Sequence, residues 1–145
     1  MECISVFDML KIGVGPSSSH TLGPWRAAER FIRELLEKKV FQSVAHIQIE
    51  VYGSLSLTGK GHATDLAIML GLTGADPVTI PIENISTIIN GIHESKRLLL
   101  NNSHEIPFDP KSDIIFKREF LPFHANGMIF RAVTADGKKI KETYY

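Results

Sequence analysis

The sequence predicts an α+β fold, a two-layer sandwich of helices on a mixed, mostly antiparallel sheet, and three observations lead there. An amphipathic stretch from Pro24 to Lys39 is followed by an alternating one from His46 to Tyr52. Near the C-terminus, Asp136-Gly137, a strong hairpin-turn dipeptide, separates two strand-like runs. Helical and strand-like segments follow one another too irregularly for a doubly wound parallel sheet, and no internal repeat suggests a solenoid.

The first helix is expected over residues 24–39. Trp25, Ala28, Phe31, Ile32, Leu35 and Leu36 form one apolar stripe, with Arg30, Arg33, Glu34, Glu37 and Lys38 outside it, so the helix should lie on a sheet. Pro24 suits the first turn, where its missing N–H is not needed. In 46–52, Ile47, Ile49 and Val51 alternate with Gln48 and Glu50, the pattern of a half-buried strand ended by Gly53. Residues 63–72 read as a second, apolar helix stopped by Gly74 and Pro77, its small residues implying close packing. Asn84 can cap a third helix carrying Ile85, Ile88, Ile89, Ile92 and Leu99, with Asn101-Asn102 closing it. Strands are expected over 113–119, 128–134 and 138–145. Because Tyr144-Tyr145 falls in what reads as an unfinished strand, a cut polypeptide is expected.

Composition narrows the function classes. With 145 residues, 43% of them hydrophobic, the chain is expected to form one domain, 1–145. Lys and Arg total 16 against 16 Asp and Glu, so no basic field argues for nucleic acid or an anionic membrane, and a small-molecule partner is expected. No apolar run approaches the roughly 20 residues of a membrane-spanning helix. The one cysteine, Cys3, cannot form an internal disulfide, and no basic-then-apolar leader is visible, so a cytoplasmic location is expected. One cysteine also falls short of the roughly four ligands of a [4Fe–4S] cluster.

Two loops carry the chemistry. In Gly13-Val14-Gly15-Pro16-Ser17-Ser18-Ser19-His20-Thr21-Leu22-Gly23-Pro24, glycines free the backbone to approach a ligand, and Ser17, Ser18, Ser19 and Thr21 supply hydroxyl donors. The helix beginning at Pro24 would add its positive end, which suits a carboxylate, and His20 could donate or accept a proton. A Ser/Thr-rich stretch before a helix is more often a capped loop, but capping needs one such residue, not five polar side chains in a row.

The second loop, Gly53-Ser54-Leu55-Ser56-Leu57-Thr58-Gly59-Lys60-Gly61-His62-Ala63-Thr64-Asp65, joins a strand to a helix. It misses the phosphate-loop spacing, since five residues separate Gly53 from Gly59 and Gly61 follows Lys60. The first loop likewise lacks the third glycine of a dinucleotide site. His62 and Asp65 are three apart, so at a helix start the carboxylate could orient the imidazole as a base. An isolated pair of this kind is more often a cap beside a solvent-facing histidine.

Other arrangements are weaker. Ser17 to Ser19 abut His20 too closely for a nucleophilic triad. A metal site from His20, His62 and Asp65 is chemically possible, but no compact ligand motif supports it, and no metal is assigned to this chain. His46, His93 and His104 read as ordinary structural or surface residues. The stretch Leu121-Pro122-Phe123-His124-Ala125-Asn126-Gly127-Met128 is either an Asn-Gly turn or a functional loop.

The motifs from Ser5-Val6-Phe7-Asp8 through Lys11-Ile12-Gly13-x-Gly15-Pro16-Ser17-Ser18-Ser19-His20-Thr21-x-Gly23-Pro24 resemble the start of the bacterial iron–sulfur L-serine dehydratases (L-serine deaminases). The stretches Tyr52-Gly53-Ser54-Leu55-x-x-Thr58-Gly59-Lys60-Gly61-His62-x-Thr64-Asp65 and Pro122-Phe123-His124-x-Asn126-Gly127-Met128 resemble that family's later motifs in the same order, with Ala125 where members often carry proline. The resemblance implies the β domain, subunit or N-terminal fragment of an L-serine ammonia-lyase, which converts L-serine to pyruvate and ammonia. It implies a [4Fe–4S] cluster on a separate α domain or subunit, absent from this chain, acting as a Lewis acid on the substrate hydroxyl, and an inactive isolated chain. A homo- or hetero-oligomer is also expected, and the composition gives neither nucleic acid nor membrane as partner.

By motif matching, His62 takes the position of the base that removes the Cα proton, with Asp65 beside it in the catalytic pair. Ser17, Ser18, Ser19, His20 and Thr21 would hold the carboxylate, Thr64 would position His62 or the substrate amine, and Asn126 joins the substrate-binding set. The rival expectation is a non-catalytic serine- or anion-sensing regulatory domain, because a similar module is appended to some phosphoglycerate dehydrogenases. A sensor needs anion donors but no proton acceptor, so His62 and Asp65 favour the enzyme.

Overall fold

The structure is a computed structural model, and it describes residues 22–53, 63–117 and 126–144. Its elements are helix α1 (Leu22–Glu37), a short 3-10 turn (Phe41–Ser43), strand β1 (Val44–Gly53), helices α2 (Ala63–Thr73) and α3 (Ile82–Ser95), strands β2 (Arg97–Leu100) and β3 (His104–Pro107), a one-turn helix α4 (Pro110–Asp113), and strands β4 (Ile114–Phe116), β5 (Asn126–Thr134) and β6 (Lys139–Tyr144). Four strands form one sheet in the order β4-β1-β5-β6, and β2 and β3 pair separately. The β1–β4 pair is parallel, and β1–β5 and β5–β6 are antiparallel. The fold is the α+β arrangement the sequence predicts.

Alternation sets the faces. Ile47, Ile49 and Val51 of β1 lie opposite Ala132, Phe130 and Met128 of β5, and all six are buried on the helical side. The amphipathic stripe of α1 covers them, with the Phe31 ring 5.2 Å from that of Phe130. Helix α2 packs beside α1, and there the small residues matter. A Cβ added at Gly71 would meet the Trp25 carbonyl oxygen at 2.6 Å and the Ala28 Cβ at 2.7 Å, so only glycine permits this approach. The Trp25 indole N–H donates to the Ala75 carbonyl at 2.8 Å, pinning the end of α2 to α1.

Several boundaries differ from the sequence reading. Helix α1 runs from Leu22 to Glu37 and not from 24 to 39, so Pro24 lies inside its first turn. Helix α3 starts after Pro81, without a side-chain cap, so Asn84 is not its N-cap but lies within its first turn. The same helix ends at Lys96, which takes a left-handed conformation and donates its N–H to the Ile92 carbonyl at 2.9 Å. Leu99 therefore belongs to β2, and Asn101-Asn102 do not close a helix. With φ of 48° and 56°, they turn β2 into β3, and the Ser103 N–H donates to the Leu100 carbonyl at 2.9 Å across them. Residues 110–113 form α4 ahead of β4, shortening the strand expected over 113–119 to Ile114–Phe116 within the described residues. The hairpin at Asp136-Gly137 forms as expected, Gly137 with φ 90° and the Lys138 N–H donating to the Thr134 hydroxyl at 2.9 Å.

Candidate functional site

Direction along the sheet decides what comes together. The Arg30 guanidinium sits 5.1 Å above the Tyr144 ring, and Tyr144 is paired through Met128 to Val51. Further along α1, Lys38 Nζ is 3.3 Å from Glu142, which is paired through Phe130 to Ile49. Helix α1 thus runs back along β1, and its first turn lies toward the end where β1 stops. Helix α2 runs the same way. Its Leu72 carbonyl accepts from the Asn101 N–H at 2.8 Å, and the hairpin carrying Asn101 touches the beginning of β1, where a His104 ring nitrogen is 2.7 Å from the Val44 carbonyl. The first turn of α2, with Thr64 and Asp65, therefore points to the end of the sheet where β1 finishes.

That end gathers the stems of the sequence motifs. Gly53 closes β1 with φ 70° and pairs with Asn126 at the start of β5. Beside them the Lys117 N–H, just after β4, donates to the Val51 carbonyl at 2.8 Å. Two helix starts and three strand ends converge on one rim, the α1 start being free of acidic residues. Helix N-termini carry unpaired N–H groups and a partial positive charge, so the α1 start favours an anion, whereas the α2 start already carries the Asp65 carboxylate.

Among the sequence-predicted residues, Thr64 is fully buried in the first turn of α2. Asp65 is half-buried beside it, and its Oδ1 accepts from the Leu66 N–H at 3.0 Å. Asn126 takes its place at the rim through its backbone pairing with Gly53. Ser17, Ser18, Ser19, His20, Thr21 and His62 lie outside the described residues.

Two other features stand apart from the rim. A cleft of about 610 Å³ opens between the end of α2, α3 and the β2–β3 hairpin, lined by Thr73, Gly74, Gly91, Ser95, Arg97 and Leu99. It sits toward the end where β1 begins, away from the rim. His46, read from sequence as ordinary, has Nε2 2.8 Å from Asp113 Oδ1, whose other oxygen accepts from the Asp109 N–H at 2.8 Å. Asp113 is 7% exposed. The pair joins β1 to α4 some 20 Å from Gly53 at ~3.3 Å per strand residue, so it fastens the parallel edge rather than serving the rim. With the partners 67 positions apart, no sequence motif could reveal it.

The residues present do not fit an iron–sulfur cluster. The chain has one cysteine, and among the described residues no group of three or more His, Cys, Asp or Glu gathers. No helix among the described residues is long and apolar enough to cross a membrane.

Comparison with known proteins adds the family. Residues 5–145 match the model of the serine dehydratase beta chain. The chain is similar to L-serine dehydratase 1 of Escherichia coli (strain K12), 47% identical over 143 residues, covering 98% of this chain and 32% of that protein. It is similar to an L-serine dehydratase of Streptomyces coelicolor, 46% identical over 144 residues, again 98% and 32%. An L-serine dehydratase of Helicobacter pylori (strain 26695) is 41% identical over 146 residues, covering 100% of this chain and 32% of the relative. The chain thus spans about a third of the length of the curated relatives it matches.

Proposed function

This chain belongs to the serine dehydratase beta chain family, and from that premise we propose that it is the substrate-binding and base-supplying part of a cytoplasmic L-serine ammonia-lyase. The observation that carries the reading is the convergence at one rim of the first turns of α1 and α2, Thr64 and Asp65 among them, with the Gly53–Asn126 pair. Both long motif loops lead directly into those helix starts.

The chemistry assigned to the chain's own residues is as follows. Ser17 to Thr21, ahead of the α1 N-terminus, hold the substrate carboxylate by hydroxyl donation reinforced by the helix dipole. His62, just before α2, takes the Cα proton, and Asp65 and Thr64 orient it or the substrate amine. Loss of the β-hydroxyl as water then leaves an enamine, which hydrolyses to pyruvate and ammonia. A [4Fe–4S] cluster, the cofactor the family resemblance implies, is assigned to the polypeptide outside this chain, and the isolated chain is accordingly inactive.

The test is an anaerobic assay of the full protein. His62→Ala should lower kcat by about two to four decades with its unfolding curve unchanged. Turnover close to that of the parent would remove His62 as the base. Ser18→Ala and His20→Ala should chiefly raise KM for L-serine, and an unchanged KM would return that segment to a simple capped loop.

A further inference from the structure

Glu50 stands in a row of the sheet where an apolar residue would fit. On the face turned away from α1 and α2, its direct neighbours are Ile115 of β4 and Ile129 of β5, and Ile129 is 7% exposed. The Glu50 side chain is itself 13% exposed. Taking a carboxylate out of water is costly, and apolar side chains of similar size in place of a buried ion pair often leave a fold equally or more stable. Stability alone is therefore a poor account of a carboxylate at this position.

What the carboxylate does is join three strands close to the rim. Its Oε1 accepts from Arg131 of β5, from Nε at 3.1 Å and from Nη2 at 2.8 Å. Its Oε2 lies 3.9 Å from Nζ of Lys117, the residue that follows β4, an attraction of charges without a hydrogen bond. Strand β4 has three residues, and just beyond it the Lys117 N–H donates to the Val51 carbonyl at 2.8 Å. The Arg131 and Lys117 side chains are 41% and 38% exposed, so both cations can turn to water when the carboxylate is removed.

Each of these strands leads into a motif. Gly53, at the end of β1, begins the stretch that carries His62, and residues 118–125 join Lys117 to Asn126 at the start of β5. We propose that Glu50 is a positioning residue: through Arg131 and Lys117 it clamps the rim ends of β1, β4 and β5 together, and so sets where the segments bearing His62 and Asn126 leave the sheet. The proposal rests on the serine dehydratase reading. The carboxylate cradle assigned to Ser17 to Thr21 precedes α1 and is not tied by this clamp, so loss of the clamp acts chiefly on kcat.

Glu50→Leu in the full protein, assayed anaerobically with L-serine, tests it. The unfolding midpoint should stay at or above the parent's, while kcat falls about tenfold or more and KM changes little, because small displacements of reacting groups cost rate steeply. Lys117→Met, at a partly exposed position that the fold tolerates, should also lower kcat, and Lys117→Arg, which keeps a cation within reach of Glu50, should restore it. Parental kcat in Glu50→Leu and Lys117→Met overturns the proposal, as does a loss that follows the folded fraction or is confined to KM. Amide exchange judges the clamp apart from the reaction. Glu50→Leu should speed exchange of the Lys117 N–H by about tenfold or more and leave the Ala135 N–H, bonded to the Ser43 carbonyl at the opposite end of the sheet, as in the parent. That exchange difference in a protein whose parent form does not turn over L-serine would sink the serine dehydratase reading and uphold the clamp. Turnover in the parent, with exchange and kcat unchanged in the variants, would do the reverse.

Discussion

Gly71 packs so closely on Trp25 that a single methyl group at this position would lie 2.6 Å from the Trp25 carbonyl oxygen. This contact fixes how α1 and α2 lie side by side, and hence how their first turns meet at the rim. Replacing a mid-helix glycine by alanine gains about 1 kcal/mol of helix propensity. Overpacking against a backbone atom that cannot rotate away costs about 1–3 kcal/mol, and here it should win. Gly71→Ala is expected to destabilise the fold by about 1–2 kcal/mol in denaturant unfolding. Equal or greater stability would mean that the helices part at no cost.

The Asp113 carboxylate is the joint between β1 and α4, accepting from the Asp109 N–H and lying 2.8 Å from His46. Asp113 is 7% exposed, and its removal leaves the partly buried Asp109 N–H without this acceptor, a loss of about 1–3 kcal/mol. Asp113→Ala should show that loss in urea unfolding, and Asp113→Asn, which keeps an acceptor oxygen, should recover part of it. A neutral Asp113→Ala would show that the parallel β1–β4 edge holds without the clasp.

These two joints mark where the sequence was readable. Helix α1 was legible because Trp25, Ala28, Phe31, Ile32 and Leu35 repeat at helical spacing, and β1 because Ile47, Ile49 and Val51 alternate. Gly71 could be suspected from the small residues around it, but its partner, Trp25, lies 46 positions away. The β2–β3 hairpin was hidden by coincidence: Leu99 falls seven residues after Ile92, a helical interval, although Leu98 and Leu100 are the buried pair and Leu99 is 40% exposed. Two consecutive asparagines at positive φ are a turn signal, and a helix end needs only one such residue. At the rim, Thr64 and Asp65 were legible from their motif. The joining of Gly53 to Asn126 was not, since it depends on strand register.

A carboxyl pair gives the helix–sheet contact a pH dependence. Glu34 of α1 is raised above its ordinary 4.5, first by a hydrogen bond with Glu142 of β6, then by burial and by repulsion from the same group. Glu142 is lowered, first by that hydrogen bond, with Lys38 assisting. A raised carboxyl binds its proton more tightly in the folded state, so its stabilisation is present below 4.5 and is lost as pH rises through the folded value. The lowered Glu142 contributes in the opposite sense, its stabilisation being present above 4.5 and lost as pH falls through its folded value. Glu34→Gln keeps a neutral donor for Glu142 at every pH. Its Tm relative to the parent should therefore rise between about pH 4 and about pH 7. A difference in Tm that stays flat over this range would show that Glu34 and Glu142 do not share a proton.

Thr64 offers the sharpest separation of structure from chemistry at the rim. Its side chain is fully buried in the first turn of α2, one residue before Asp65, and valine has nearly the same shape without the hydroxyl. If that hydroxyl serves only the fold, Thr64→Val lowers stability and leaves the kinetics of the folded fraction alone. If it positions His62 or the substrate amine, kcat/KM for L-serine falls beyond any change in the folded fraction. A hydrogen bond to a charged group is worth about 1.5–3 kcal/mol, which converts to roughly tenfold to a hundredfold in rate. Thr64→Ser, which keeps the hydroxyl and gives up a methyl, should recover the kinetics better than the stability. The opposite pattern, with valine active and serine impaired, would make Thr64 a packing residue and leave Asp65 alone to orient the base.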